Sequence, residues 1–460
     1  MLFEYDLILK TKMCEFNQLI DARLKMFDTY IGHANLDMKD YQREGVKWCL
    51  VNELRPESVV RGGFIADEMG LGKTIIMIGV FLSNFVKRTL IVLPPSLLDQ
   101  WFAQILRTTG HRALIYHGEK KKKISDSELN QAKIVITTYG TISLSKRGLT
   151  SLHGIKWSRV VFDEAHHLRN SRTAVCAGAR RLQSKIRWLV SGTPVQNRKQ
   201  DFYSLCSILK LPASVYTEPA NLNQLGSFIL KRTKRQVGIQ IPGATIEKNV
   251  VEWSNREEME LAENIHASRG SKLTLMLRAR QSCILPKLMD ACKLSKIGLH
   301  GDYAEAFRHS SKLDFVVKEI IERKGNGCGK LIFCHFREEI DEIFARLSSG
   351  GIGSVATVDG RTRHRGKILN SPHEALVLQI QTGCEGLNLQ ENYSEIYFIS
   401  PHWNPAVEDQ AIARCHRIGQ KKEVLVKRFE MNSFVGTPTL ETYIKTVQEI
   451  KRNIATECIN

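Results

Sequence analysis

Ala66-Asp67-Glu68-Met69-Gly70-Leu71-Gly72-Lys73-Thr74 and, far downstream, Phe162-Asp163-Glu164-Ala165-His166 carry the decisive chemistry of this chain. The first ends in Gly-Lys-Thr, the core of a phosphate-binding loop. In such a loop backbone N–H groups wrap the phosphates, Lys73 reaches the terminal ones and the Thr74 hydroxyl can hold Mg²⁺. The second follows apolar Val160 and Val161 and ends in two acids, as expected of a buried strand delivering carboxylates at its carboxyl end. Asp163 is then the candidate Mg²⁺ ligand, and Glu164 the candidate for polarising an attacking water. Together they point to hydrolysis of a nucleoside triphosphate.

The phosphate loop misses the strict Gly-x-x-x-x-Gly-Lys-Ser/Thr pattern, because Asp67 stands where glycine is expected. Taken alone, a chance Gly-Lys-Thr in a turn competes with the functional reading. Context weighs against chance. Gly62-Gly63-Phe64-Ile65-Ala66 has the composition of a short strand entering the loop, and Thr74 through Phe85 that of an apolar helix leaving it. Strand, loop and helix in that order are what phosphate binding at a helix N-terminus requires.

At 460 residues the chain suits two α/β domains with a segment between them. A net charge of +18 favours a polyanionic partner, nucleic acid first, although a lysine excess that serves solubility would look the same. The 11 cysteines include no Cys-x-x-Cys pair, which leaves zinc ribbons, fingers and RING modules without ligands and fits a reducing compartment. The N-terminus, with Glu4 and Asp6, lacks the basic and apolar regions of a signal peptide, and no run is long enough for a membrane span. An intracellular soluble protein without structural zinc is expected.

Residues 1–37 form a helical lead-in without chemical motifs. Residues 38–240 alternate strand and helix, with apolar strands at Leu90–Leu93, Ile134–Ile136, Val160–Phe162 and Trp188–Val190. Residues 241–310 are expected to be a helix-rich connecting segment. Residues 311–460 make a second α/β unit, with strands at Leu331–Phe333, Leu376–Leu378, Ile396–Ile399 and Val424–Val426, but no phosphate loop of its own. The dense basic run Lys120–Lys123 is expected to be a solvated loop rather than a nucleic-acid or import signal.

Gln42, shortly before the loop, offers an amide that can both donate to and accept from adenine. Pro94, Pro95 and Ser96 with Gln100 and Trp101, and Thr137-Thr138-Tyr139, follow or end strands. Hydroxyls and N–H groups there can grip a phosphate backbone without reading bases. Ser191-Gly192-Thr193 ends another strand beside the acids and could couple phosphate state to movement. Arg414 and Arg417, three apart, would face down one side of a helix and stabilise charge on a transferring phosphoryl group. Surface salt bridges are the plain alternative for such arginines. His166, His167 and His416 lack the clustered ligands of a metal site.

These segments, ADEMGLGKT, LPPSLLDQW, TTYG, FDEAHHLRN, SGTPVQN, FILKRTKR, LIFCHF, GLNL, WNP and QAIARCHRIGQ, occur in one order between about Asp40 and Phe429. In that order the chain resembles the Swi/Snf-type ATPases, the DNA-translocating and chromatin-remodelling branch of the superfamily-two helicases. It looks closest to the DNA-repair and transcription-termination subgroup, without the RING insert common there. The resemblance implies an α/β fold of two RecA-like lobes, with ATP and Mg²⁺ as cofactors and duplex DNA as partner, alongside a DNA-bound protein such as a nucleosome, polymerase or repair factor. It also implies a nuclear or other DNA-containing compartment. Lys73, Thr74, Asp163 and Glu164 match the family's catalytic set and Gln42 its adenine contact, with Gly386 and Gln410 as further nucleotide contacts. Arg414 and Arg417 match its arginine fingers, and Thr382, Gly383 and Trp403 its second-lobe DNA contacts. The family also accepts aspartate at the position of Asp67.

Two departures stand out. Gln381-Thr382-Gly383-Cys384 replaces a stretch that usually has a basic residue and a Gly-Gly pair, which puts DNA grip in question rather than hydrolysis. Residues 359–375 are shorter than the family usually has. The short termini leave no room for reader modules, so a bare motor is expected, of a build that would suit a viral or accessory role. A translocase on duplex DNA is the leading expectation. A strand-separating DNA or RNA helicase and a non-catalytic nucleic-acid scaffold are the rivals.

Overall fold

In a computed structural model the chain is described from residue 2 to 459, except for residues 57, 59, 145–147, 194–197, 219–220, 364, 370 and 384–386. It divides into two units, one running to Gln240 and joined by the last residues from Ile454, the other comprising Ile241–Asn453.

The first unit is built on strands β1 (Arg61–Ile65), β2 (Thr89–Leu93), β3 (Leu114–Tyr116), β4 (Ile134–Thr138), β5 (Lys156–Asp163), β6 (Gln183–Val190) and β7 (Ile229–Leu230). They lie in the order β3-β4-β2-β5-β6-β1-β7, and the described pairings are all parallel. Strands covered on both faces must be apolar at every position, and β2 and β4 are buried throughout. Alternate residues serve opposite faces. Ile91 and Leu93 join one core cluster, whereas Leu90 and Val92 join the other. The helix Leu2–His33 does more than lead in: Ile20, Leu24, Phe27 and Ile31 recur at helical spacing and pack into the first of these clusters.

The second unit has β8 (Ala244–Val251), β9 (Gly329–Cys334), β10 (Val355–Val358), β11 (Ala375–Gln379), β12 (Tyr393–Phe398) and β13 (Val424–Met431), in the order β10-β11-β9-β12-β13-β8. Every apolar strand expected from the sequence is present. The connector expected at 241–310 is not a separate segment. Residues 244–251 pair in parallel with Val424–Met431 and form the edge of the second sheet, and residues 241–310 lie within the second unit. The strand is mostly exposed and mixes polar with apolar residues, so it lacks the apolar run that marks buried strands. The lysine run forms a short, mostly exposed 3₁₀ turn, Glu119–Lys123, as its solvated reading anticipated.

Within the first unit lies a fully buried carboxylate, Glu53, near the end of the helix Asp40–Leu54. Arg159 of β5 donates to it through Nε at 2.6 Å and through Nη2, Trp188 of β6 through its indole at 2.7 Å, and Asn84 at 2.7 Å. A buried charge is tolerated only when so surrounded. Replacing Glu53 with Gln should strand the buried Arg159 cation and cost about 3–5 kcal/mol. Urea unfolding read by tryptophan fluorescence would check this, and an unshifted midpoint would mean the hub contributes little.

Candidate active site

β1 ends at Ile65 and the helix Lys73–Ser83 starts immediately after the loop, the strand–loop–helix order the sequence required. Gly72 precedes that helix with φ +74, and a Cβ there would come 2.4 Å from Gln42 Nε2. Gln42 in turn donates to the Leu71 carbonyl at 3.2 Å, so the expected adenine contact touches the loop. Lys73 Nζ donates to the carbonyls of Asp67 at 2.9 Å and Glu68 at 3.4 Å. Met69, Gly70 and Thr74 are half-buried around it.

Asp67 explains why the loop departs from the glycine pattern. Its carboxylate is fully buried and receives Arg232 Nε at 3.1 Å and Nη2 at 2.6 Å. The neighbouring Glu68 pairs with Lys234 at 2.8 Å. Arg232 and Lys234 were visible in the sequence only as letters of FILKRTKR. Their task was not, because nothing local ties residue 232 to residue 67.

Asp163 closes β5 and Glu164 follows it. The Trp101 indole donates to Asp163 Oδ2 at 2.6 Å, the Glu164 backbone N–H to Oδ1 at 3.0 Å, and the Tyr139 hydroxyl to the Asp163 carbonyl at 2.7 Å. Burial, together with the Glu164 carboxylate, pushes the Asp163 carboxyl up to about 7, against the Trp101 donor and the Lys73 ammonium. Glu164 has φ +50, a backbone state that costs a non-glycine residue about 1–3 kcal/mol and is concentrated at functional sites. His166 Nδ1 lies 3.3 Å from Glu164 Oε2 and 3.4 Å from Ser191 Oγ, which connects the acids to the Ser191–Thr193 segment. That segment passes very close to the loop. A Cβ on Gly192 would lie 2.9 Å from Met69 and 3.3 Å from Lys73 Nζ, so a larger residue would have to displace the Met69 side chain.

Several expected nucleic-acid contacts need correction. Trp101 is 1% exposed and spends its one donor on Asp163, so it supports the acids instead of meeting a backbone. Thr137, Thr138 and Tyr139 are buried as well. Their hydroxyls bond the Tyr116 carbonyl, Thr141 and the Asp163 carbonyl. The physical reason is common to all four: each is covered and has its side-chain polar atom bonded inside the first unit. Pro94 is buried, whereas Pro95, Ser96 and Gln100 are exposed.

In the second unit Arg414 and Arg417 do not share a helix face as expected. The helix Pro405–Ile412 ends before them, and they sit in a turn closed by Arg414 N to Ala411 O at 3.1 Å and Gln420 N to Arg417 O at 3.0 Å. The buried Cys415 anchors this turn. Arg414 Nε is buried without a hydrogen-bond partner among the described residues, and Arg417 donates to Asn388. Burial and the Arg414 charge lower the Arg417 pKa, which would favour an incoming anion. Gln410 is buried and Trp403 half-buried against Tyr443. Thr382 and Gly383 lie in the short helix Ile380–Gly383, and Gly386 falls outside the described residues.

The donor set of the first unit suits Mg²⁺ with a triphosphate. A hydroxyl and a carboxylate are hard oxygen ligands, and Mg²⁺ usually takes one or two from protein and the rest from phosphate and water. The buried Asp163, whose charge burial disfavours, is the kind of group a cation would relieve. No cluster of three or more His, Cys, Asp or Glu able to hold a metal occurs among the described residues.

Residues 41–219 match the SNF2-related domain family and residues 311–419 the helicase conserved C-terminal domain family. The chain is 27% identical over 462 residues to a "probable global transactivator" of Orgyia pseudotsugata multicapsid polyhedrosis virus, covering 90% of both. It is 28% identical over 457 residues to the ISWI chromatin-remodeling complex ATPase ISW2 of Saccharomyces cerevisiae, covering 88% of this chain and 40% of that one. Among solved structures, the Sulfolobus solfataricus SWI2/SNF2 ATPase core in complex with dsDNA is 24% identical, with 92% and 93% of the two chains covered and a TM-score of 0.41. The chain spans nine-tenths of the viral relative but 39–60% of the other curated relatives it matches.

Trp101→Phe should keep the packing and remove the indole donor, leaving Asp163 both more basic and less well aimed. The Mg²⁺ concentration that half-saturates binding of a fluorescent ATP analogue should then rise about tenfold or more, as for other partners of metal-binding carboxylates. An unchanged value would reduce Trp101 to a packing residue.

Proposed function

The chain belongs to the Swi/Snf-type branch of the superfamily-two helicase-related ATPases, and on that premise we propose that it hydrolyses ATP in response to duplex DNA and moves along the duplex to remodel or displace bound protein. One observation carries the catalytic half: Lys73, held on the loop carbonyls, lies beside Gly192 just after β6, and Asp163 ends β5, the strand paired with β6. Phosphate grip, acids and coupling segment thus share one end of one sheet, where ligands of parallel α/β sheets bind.

In this mechanism the loop N–H groups and Lys73 bind the phosphates and Gln42 holds the adenine. Thr74 and Asp163 would hold Mg²⁺, which neutralises phosphate charge when bound. Glu164 orients the water that attacks the γ-phosphorus, giving ADP and phosphate. Arg414 and Arg417 are the residues that would supply positive charge to the transferring phosphoryl group. Ser191 and Thr193, linked to Glu164 through His166, respond to the loss of the γ-phosphate. The net charge of +18 supports a phosphate-backbone partner, which would give affinity that falls steeply with salt and depends little on sequence.

Two experiments test the proposal. Glu164→Gln keeps the side-chain shape but loses the carboxylate, so ATP should bind and persist. Arg417→Ala should lower turnover by about 10³-fold, with ATP affinity of the same order. Normal turnover in either variant removes that residue from the mechanism. For the motor, duplex tracking should displace a triplex-forming third strand with ATP while leaving a forked duplex annealed. Efficient fork unwinding without third-strand displacement would favour a strand-separating helicase.

A further inference from the structure

We propose that Lys234, together with Arg232, is a positioning residue that carries the state of the phosphate loop into the segment by which the chain leaves the first unit. This rests on the loop being an ATP site.

The two cations grip consecutive loop residues. Arg232 holds the Asp67 carboxylate through two nitrogens at 3.1 and 2.6 Å. Lys234 holds Glu68 twice, through its ammonium at 2.8 Å and its backbone N–H at 2.8 Å. The backbones are joined too, by Ala66 N to Leu230 O at 2.7 Å and Glu68 N to Arg232 O at 2.9 Å. Lys234 is 7% exposed, whereas the Glu68 side chain is 41% exposed, so the pair is anchored from the lysine side.

Lys73 donates to the carbonyls of these same two residues, Asp67 and Glu68. An ammonium drawn onto a phosphate releases both carbonyls, so nucleotide arrival changes the bonding of the two residues that Arg232 and Lys234 hold. Beyond Lys234 the chain is tied into a hydrogen-bonded turn. Val237 N bonds Thr233 O at 3.2 Å, Ile239 N bonds Lys234 O at 3.0 Å, and Thr233 N bonds Gln236 Oε1 at 2.7 Å. A shift of Lys234 is therefore passed to Ile239, one residue before the boundary at Gln240. A pair that served only to fold the loop would need neither the second grip on Glu68 nor this closed turn.

Hydrogen exchange on the unmodified chain, with and without a non-hydrolysable ATP analogue and Mg²⁺, reads residues 229–240 directly. Nucleotide should change exchange there about tenfold or more, together with the phosphate loop. A response confined to the loop overturns the proposal, whereas absence of any nucleotide binding overturns the ATP reading beneath it. Lys234→Gln supplies a second test. Its affinity for a fluorescent ATP analogue should stay within about twofold, while stimulation of turnover by duplex DNA falls about tenfold and Lys234→Arg restores most of it. Parallel loss of affinity and turnover would mean the pair merely shapes the loop. Undiminished stimulation would leave it no coupling role, and either result overturns the proposal.

Discussion

The Glu53 carboxylate, with no access to water, sets the geometry of the first unit. Four donor atoms from three side chains converge on it, and two of those side chains lie on neighbouring strands. Arg159 stands four residues before Asp163 on β5, and Trp188 three before Ser191 after β6. Satisfying the buried charge thus fixes the relative register of the strand that ends in Asp163 and the strand that leads into Ser191–Thr193. A neutral apolar core could pack equally tightly, but it would not dictate the alignment of these two strand ends.

Charge pairing recurs one layer up. Asp67 is tolerated in a glycine's place because Arg232 neutralises it, and Asp163 keeps its aim because Trp101 and the Glu164 N–H fill its acceptors. Around Arg414 and Arg417 the pattern inverts. The two cations stand near each other, and among the described residues no carboxylate is paired with either. Groups satisfied from within fix structure, whereas groups left short of a partner suit a ligand. That difference separates the two halves of the proposed chemistry.

The sheet strands and the strand–loop–helix order around Lys73 were legible because both are local signals. A parallel strand buried on two faces must read as an apolar run, and a phosphate loop must have its glycines and lysine adjacent. Residues 244–251 were missed because an edge strand carries no such run. Trp101, Thr137, Thr138 and Tyr139 were misread for a different reason. A strand-end position tells which end of the sheet a residue occupies, but not whether a neighbouring layer covers it. The turn that holds Arg414 and Arg417 was read as helix because their spacing fits either, and only the end of the helix at Ile412 decides. Arg232 and Lys234 stood in a quoted motif without a task, since their partners lie about 165 residues earlier.

Steady-state ATP turnover, compared without nucleic acid and with duplex DNA, single-stranded DNA and RNA, tests the central claim most directly. Duplex DNA should raise turnover about tenfold or more and exceed both single-stranded ligands, as expected if the motor responds to the lattice it tracks. Stimulation by RNA but not by DNA, or no turnover under any condition, would contradict the account.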